Sequence, residues 1–135
     1  MTDNRANVLV YSDNRLVREQ VRVTLGRKVA SDLPELEIHE VATAAALFRA
    51  LDSDTRYELV VLDGEAQPAG GFGLAHQIKD QYDDTPPIML LIVRSSDAWL
   101  GSWSRAEAVT PYPLDPFEMP AQAANLLRAR LGVDA

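Results

Sequence analysis

The chain has 135 residues with 13 Lys or Arg against 20 Asp or Glu, which gives a formal net charge of −7 at pH 7. This length is typical of one domain with its own core, and 47% hydrophobic residues is an ordinary value for a folded protein. The absence of cysteine excludes disulfides, zinc–thiolate sites and thiol catalysis. The excess of acidic over basic residues argues against nucleic acid or an anionic membrane surface as a partner. Because the longest apolar run, 88–93, is far shorter than a membrane span, we expect a cytoplasmic protein.

Five apolar runs alternate with segments of helical spacing. The runs predicted to be strands are 8–11, 36–41, 59–62, 88–93 and 108–110. The segments predicted to be helices are 14–25, 43–51, 72–82, a short 97–105 and a last helix that starts at Asp115. Short apolar strands between helices indicate a parallel sheet covered on both faces, and only 36–41 alternates like an edge strand. We therefore predict an α/β fold whose doubly wound five-stranded parallel sheet is flanked by about five helices.

Two local features lead to further expectations. Asp115 and Pro116 are typical of a helix start, while Pro120 predicts an irregular first turn. The apolar face predicted for this helix consists of Phe117, Ala121, Ala124, Leu127 and Leu131. The glycine-rich segment 69–73 lacks the pattern of a phosphate-binding loop, and it is interpreted as a turn that admits positive φ.

Acidic residues follow two of the predicted strands. Asp13 comes after the first run and Asp63 after the third. In a flavodoxin-like strand order these strands are neighbours, so the two carboxylates would converge at one edge of the sheet. Two close carboxylates attract a hard cation such as Mg²⁺, and a carboxylate beside Mg²⁺ can attack a phosphoryl group. The alternative is that each acid only caps a turn or a helix start.

These residues belong to a wider pattern that resembles the receiver domains of response regulators over about 7–131. The resemblance is carried by the segments 8–14 (VLVYSDN), 59–63 (LVVLD), 70–72 (GGF), 87–91 (PIMLL) and 112–118 (YPLDPFE). It implies the strand order 2-1-3-4-5. It also implies that Asp63 is the phosphoacceptor and that a histidine kinase supplies the phosphoryl group. It also implies a Mg²⁺ site formed by Asp13, Asp63 and the backbone carbonyl of Glu65.

The sequence departs from the receiver pattern at four positions. Ser12 replaces the first acid of the metal-binding pair, and Ile92 replaces the Thr or Ser that binds the phosphoryl group in receivers. Tyr112 stands where receivers have a lysine, and Val109 where they have the switch aromatic. The stretch between the fourth and fifth strands is short, so we expect a shortened fourth helix. Mg²⁺ is expected to bind weakly, and the usual switch to be absent or rebuilt.

Other side chains are candidates for contacts with partners. Trp99 and Trp103 are four residues apart, so one helix would present both on one face, either as a partner-binding surface or as a cover for the core. A set of three arginines, Arg15, Arg18 and Arg22, is interpreted as a solvated face of the first helix, with docking of an acidic partner as the alternative. Neither His39 nor His76 has a partner at metal-binding or catalytic spacing, and both are expected at the surface.

The resulting hypothesis is a stand-alone receiver-like module, 1–135, without an output domain and without enzymatic activity. It would be phosphorylated on Asp63 by a histidine kinase and dock onto an effector protein, as a monomer or weak homodimer. The alternative is a pseudo-receiver that serves, without phosphorylation, as an adaptor or accessory subunit of a larger protein complex. A flavin-binding protein is disfavoured, because the segment 12–15 offers one hydroxyl and an acid that would repel phosphate.

Overall fold

A computed structural model describes residues 4–133 and shows a five-stranded parallel sheet. The strands are β1 (Ala6–Tyr11), β2 (Leu36–Val41), β3 (Leu59–Asp63), β4 (Ile88–Ile92) and β5 (Ala108–Pro111). Their order is β2-β1-β3-β4-β5, and all four neighbouring pairs are parallel. The predicted strand order is therefore confirmed.

Five α-helices connect these strands within the described part of the chain. They are α1 (Arg15–Leu25), α2 (Ala44–Leu51), α3 (Gly71–Gln81), α4 (Trp99–Ser104) and α5 (Glu118–Leu131). The expected shortening of the fourth helix is confirmed, because α4 has only six residues and follows a 3₁₀ turn at Ser95–Asp97. Among residues 4–133, none of the helices combines the length and the apolar character that crossing a membrane would require.

Polar side chains fix where the first two helices begin. The Asn14 side-chain oxygen accepts a hydrogen bond from the Leu16 backbone N–H at 2.9 Å. The Thr43 hydroxyl accepts one from the Ala46 N–H at 3.0 Å. Each cap satisfies a backbone donor that has no partner inside the helix. The caps thus place the start of α1 directly after the end of β1, where Ser12 and Asp13 lie.

Side chains from the two faces of the sheet build two separate cores. Val8 and Val10 of β1 face one cluster with α1 and α5, and Leu9 and Tyr11 face the other with α2 and α3. This alternation follows from the two-residue repeat of a strand. Strands β3 and β4 are buried at every position, as their continuous apolar runs predict. The edge strand β2 contains no fully buried residue.

The apolar face predicted for the last helix is wrong at three positions. Phe117 is 83% exposed, Leu131 is 37% exposed and Ala121 is exposed. The buried residues of α5 are Met119, Ala123, Ala124 and Leu127. The helix begins only at Glu118, with Asp115 accepting hydrogen bonds from the N–H groups of Phe117 and Glu118. Phe117 therefore lies before the helix, and the buried stripe starts at Met119 instead.

The glycines that open α3 serve close packing and not positive φ. In residues 4–133, the glycines with positive φ are Gly26 and Gly132, so the expectation for segment 69–73 is wrong. A Cβ added at Gly71 would lie 2.8 Å from the carbonyl oxygen of Asp63. Glycine at this position lets the first turn of α3 rest directly on the end of β3. By contrast, a Cβ at Gly73 would meet no atom within 4 Å.

This difference predicts opposite effects for two alanine substitutions in the same helix. We expect Gly71→Ala to lower the free energy of unfolding by about 1–3 kcal/mol, because the methyl group forces α3 away from β3. We expect Gly73→Ala to raise it by about 0.5–1 kcal/mol, because alanine favours an exposed helical site over glycine. Urea denaturation followed by circular dichroism measures both. Equal effects of the two substitutions would contradict the close contact.

Candidate functional site

The register of β1 and β3 brings Ser12 and Asp63 together. Tyr11 pairs with Leu62, so the residues that follow them lie side by side at the carboxyl edge of the sheet. The Ser12 hydroxyl donates a hydrogen bond to Asp63 Oδ2 at 2.7 Å, and this contact is buried. The Ser12 oxygen also accepts a hydrogen bond from the Asn14 backbone N–H at 3.0 Å. The hydroxyl group thus links the end of β3 to the start of α1.

Both oxygens of the Asp63 carboxylate have hydrogen-bond donors. Oδ2 accepts from the Ser12 hydroxyl, and Oδ1 accepts from the Glu65 backbone N–H at 2.8 Å. Asp63 is only 7% exposed, so these two donors replace much of the water that the carboxylate would otherwise bind. Such an arrangement keeps a nearly buried carboxylate at the carboxyl end of a strand.

The Asp63 carboxylate borders a cavity of about 340 Å³. The residues that line it are Asp13, Asn14, Val17, Asp63, Glu65, Leu91, Val93 and Tyr112. Three of them are acidic, and none is a lysine or arginine. Val17, Leu91 and Val93 form the apolar part of the lining, and Asn14 and Tyr112 complete it. The structure therefore brings both predicted acids and Glu65 to one cavity.

A magnesium ion would find a partial ligand set here. Mg²⁺ prefers oxygen ligands and is usually held by one or two carboxylates plus water molecules. Asp13 and Asp63 provide two carboxylates, and Glu65 lies beside them. Among residues 4–133, no three His, Asp or Glu side chains are close enough to hold a metal ion by themselves. The donor set fits a hydrated Mg²⁺, while Ser12 adds no negative charge and already donates its proton to Asp63.

Three of the positions that differ from the receiver pattern have different surroundings in the structure. Ile92 is 4% exposed, and its side chain has no group that could bind a phosphoryl oxygen. Tyr112 lines the cavity and offers a phenol where receivers have an ammonium group. Val109 packs against α4, since a Cβ added at Gly101 would lie 2.3 Å from Val109 Cγ2.

Two residues at the site were not recognised as such from the sequence. The Tyr11 hydroxyl donates a hydrogen bond to the Ala69 carbonyl at 2.5 Å. Burial raises the pKa of the Tyr11 phenol, and the negative charges of Asp13 and Asp63 raise that pKa further. This phenol therefore stays protonated and keeps its hydrogen bond to the loop before α3. The aromatic side chain at the end of the first strand was the available signal.

Arg18 is the second such residue, and the interpretation of its helix face as solvated is wrong at this position. Its side chain is 15% exposed, and Nη1 donates to the Ser12 carbonyl at 2.6 Å. Its Nε donates to Glu40 of β2 at 3.1 Å, and Arg22 binds the same carboxylate at 2.7 Å. The hydrogen bond from Arg22 lowers the pKa of Glu40, with a further contribution from Arg18. Together these contacts fix the chain beside Asp63.

Arg94 lies at the rim of the cavity and not beside Asp63. Its Nη2 atom is 3.0 Å from Asp97 Oδ2 and 3.7 Å from Glu65 Oε2, and the side chain is 63% exposed. The guanidinium group therefore contacts the acidic cluster through Glu65.

The two tryptophans form an exposed patch away from the cavity. Trp99 is 64% exposed and Trp103 is 49% exposed, so neither covers the core. The ring of His76 on α3 stacks on Trp103 with centroids 4.5 Å apart. His76 also pairs with Asp80 at 3.3 Å, whereas His39 is half-buried on β2 and packs edge-on against Tyr57. Both histidines are partly exposed, in line with the expected surface positions, and each packs against an aromatic ring.

Comparisons with known proteins identify similar sequences. Two response regulatory proteins of Mycobacterium tuberculosis, from strains CDC 1551 / Oshkosh and ATCC 25618 / H37Rv, are each 48% identical over 122 residues. The match covers 90% of this chain and 91% of each relative. No protein-family model matches the sequence.

Solved structures show the same fold at low sequence identity. The signal receiver domain of a histidine kinase from Syntrophus aciditrophicus has a TM-score of 0.75 at 21% identity, covering 92% of this chain and 91% of that one. The receiver domain of an HD domain-containing protein from Pseudomonas fluorescens has a TM-score of 0.75 at 18% identity, covering 98% and 93%. An N-terminal receiver domain from Bacteroides fragilis has a TM-score of 0.72 at 21% identity, covering 91% and 97%.

The buried hydrogen bond at the site predicts a stability cost for its removal. Ser12→Ala leaves one oxygen of a nearly buried carboxylate without its donor, so we expect the free energy of unfolding to fall by about 1–3 kcal/mol. Urea denaturation measures this loss. In an Asp63→Ala background the same substitution should cost much less, because the acceptor is gone. An equal cost in both backgrounds would show that the cost does not come from the hydrogen bond to Asp63, and would assign it to packing and to the hydrogen bond from the Asn14 N–H.

Proposed function

Because the chain belongs to the response-regulator family of two-component signalling, we propose that it is a receiver module that accepts a phosphoryl group on Asp63. The observation that carries this proposal is the placement of Asp63 at the end of β3, beside Asp13, in an open cavity. The phosphodonor is a phosphohistidine of a histidine kinase, and the module then acts by docking onto an effector protein. We place it among binding modules and not among enzymes that turn over a separate substrate.

The transfer is a displacement at phosphorus. An Asp63 oxygen forms a bond to phosphorus while the bond from phosphorus to the donor's histidine nitrogen breaks, and the nitrogen keeps the electron pair. Both Asp63 oxygens accept hydrogen bonds, so the attacking oxygen must give up part of one of them. The Ser12 hydroxyl can rotate to release Oδ2, whereas the Glu65 N–H is fixed by the backbone. We therefore assign the attack to Oδ2.

Mg²⁺, when bound, would offset the charges of the carboxylates and the incoming phosphoryl group. Asp13 and Asp63 are the carboxylates that would hold it, together with the Glu65 backbone carbonyl. With Ser12 in place of an acid, the site has one negative charge fewer, which supports weak binding of the ion. The apolar wall of Leu91 and Val93 adds no ligands.

A specific observation also favours the alternative, a pseudo-receiver that works as an adaptor without phosphorylation. Receivers respond to the phosphoryl group through a hydroxyl and a lysine, which the chain replaces with Ile92 and Tyr112. The phenol of Tyr112 can donate one hydrogen bond but carries no charge at pH 7. In this alternative, the pair of Ser12 and Asp63 is a structural contact, and docking is permanent.

The surface proposed for docking is the exposed face of α4, with Trp99 and Trp103. Tryptophan is enriched among the residues that contribute most of the binding energy at interfaces. Trp103 is held in place by its stacking on His76, so its ring is ordered before a partner binds. The net charge of −7 supports a protein partner over nucleic acid or an anionic membrane. We propose a monomer or weak homodimer as the free form.

Phosphorylation is tested by intact-mass spectrometry after incubation with Mg²⁺ and a small phosphodonor. We expect one added phosphoryl group on the native chain and none on Asp63→Asn. The variant Asp13→Asn, which removes a metal ligand but not the acceptor, should slow the addition by about tenfold or more. If the native chain gains no phosphoryl group even with a purified histidine kinase, the adaptor alternative is favoured.

Docking is tested by partner capture with the double variant Trp99→Ala and Trp103→Ala. We expect its affinity for a captured partner to fall by about tenfold or more. Phe117→Ala is the control, since Phe117 is an even more exposed aromatic residue and lies outside α4. Unchanged capture by the double variant, with circular dichroism showing an intact fold, would exclude the α4 face. If Asp63→Asn changes the affinity for the partner, docking is regulated by phosphorylation. If the affinity stays the same, docking is permanent.

A further inference from the structure

A second cavity lies where the strands of the sheet begin, at the opposite end from Asp63. Its volume is about 270 Å³. The segments before β3 and β4 form its mouth, and the apolar side chains that line it include Leu51, Ile78 and Pro86. Two arginines from distant parts of the sequence, Arg56 and Arg130, also line it. Asp54 and Asp84 also line the cavity, so an anion with an apolar body would bind there in exchange for one of these carboxylates.

The guanidinium group of Arg130 is buried with few good partners. Its side chain is only 10% exposed. Nη1 donates to Asp84 Oδ1 at 2.8 Å, while the contacts to the Thr85 and Tyr57 carbonyls are long, at 3.5 and 3.4 Å. Nε is buried and has no hydrogen-bond partner among the described residues. Buried arginines normally use most of their five donors, so this group retains capacity for an anion.

A carboxylate of the chain itself occupies the position between the two arginines. Asp84 binds Arg130 at 2.8 Å and Arg56 at 3.0 Å, although its own side chain is 71% exposed. The hydrogen bond from Arg130 lowers the pKa of Asp84, and the one from Arg56 lowers that pKa further. Two guanidinium groups that converge on one carboxylate form a typical carboxylate clamp. Because the Asp84 side chain is itself largely exposed, another carboxylate can reach its position between the two guanidinium groups and take its place.

We propose that this cavity binds a small organic carboxylate, which replaces Asp84 between Arg56 and Arg130. The apolar body of the ligand lies against Leu51 and Ile78. This site is separate from Asp63 and does not depend on phosphorylation.

Charge and shape restrict the ligand further. Asp54 and Asp84 balance the two arginines among the residues that line the cavity, and the whole chain carries a net charge of −7. A multiply charged anion is therefore repelled, and a monoanion is preferred. The apolar wall contributes only if the ligand has an apolar part, so a bare anion binds less well. A concave site of this volume selects a small molecule over a protein surface.

The test is an NMR titration of the ¹⁵N-labelled chain with benzoate as the probe. We expect saturable shifts of the Thr55, Tyr57 and Thr85 amide signals, and none at Gly64 and Glu65 near Asp63. Benzyl alcohol tests the apolar body without the charge, and acetate tests the charge without the body. Each should bind more weakly than benzoate by about fivefold or more.

Two variants are expected to change benzoate affinity in opposite directions, and a third serves as a control. Asp84→Asn removes the competing carboxylate and should tighten benzoate binding by about fivefold, whereas Arg56→Gln should weaken it by about the same factor. Arg128 lies on the same helix as Arg130 but outside the cavity, where it pairs with Asp32. Arg128→Gln removes that ion pair and should leave the affinity for benzoate unchanged. Weaker or unchanged binding by Asp84→Asn, or equal binding of benzyl alcohol and benzoate, would overturn the proposal. Because Arg56 is 58% exposed, Arg56→Gln should fold normally.

Discussion

The buried hydrogen bond between Ser12 and Asp63 is the contact on which the carboxyl edge of the sheet depends. A carboxylate that is 7% exposed needs donors in place of water, and the Ser12 hydroxyl and the Glu65 N–H supply them. Arg18 fixes the Ser12 carbonyl from the other side, and Gly71 lets α3 rest on the Asp63 carbonyl. The cavity, the residues that follow Asp63 and the starts of α1 and α3 are all arranged around this pair.

Much of the fold could be predicted from the sequence because most strands are short apolar runs separated by segments of helical spacing, while β2 alternates as an edge strand does. The face of α5 could not, because its hydrophobic residues permit two different stripes. A helical repeat that begins at Phe117 predicts one buried face. The Asp115 side chain accepts hydrogen bonds from the N–H groups of Phe117 and Glu118, and Phe117 remains outside the helix. Similarly, the glycines before and in α3 suggested backbone freedom, while Gly71 is required for close packing with β3.

The site was predictable to the extent that strand ends determine position. Asp13 and Asp63 converge because parallel strands end at one edge of the sheet. The hydrogen bonds of Ser12 and Arg18 could not be predicted, because they depend on strand register and on side-chain conformation. The sequence also does not predict that Arg56, Asp84 and Arg130 come together. These residues are far apart in the sequence and meet only in the folded chain. Long-range polar contacts of this kind leave no periodic signal in a sequence.

The position of the tryptophans has a spectroscopic consequence. The chain contains two tryptophans, and both lie in the six-residue helix α4. Intrinsic fluorescence excited at the red edge of the absorption band therefore originates from one short segment of the molecule. One indole is mostly in water, while the other stacks on the imidazole of His76, a group that can quench its emission. The native protein thus carries an unlabelled optical reporter of how α4 lies against α3.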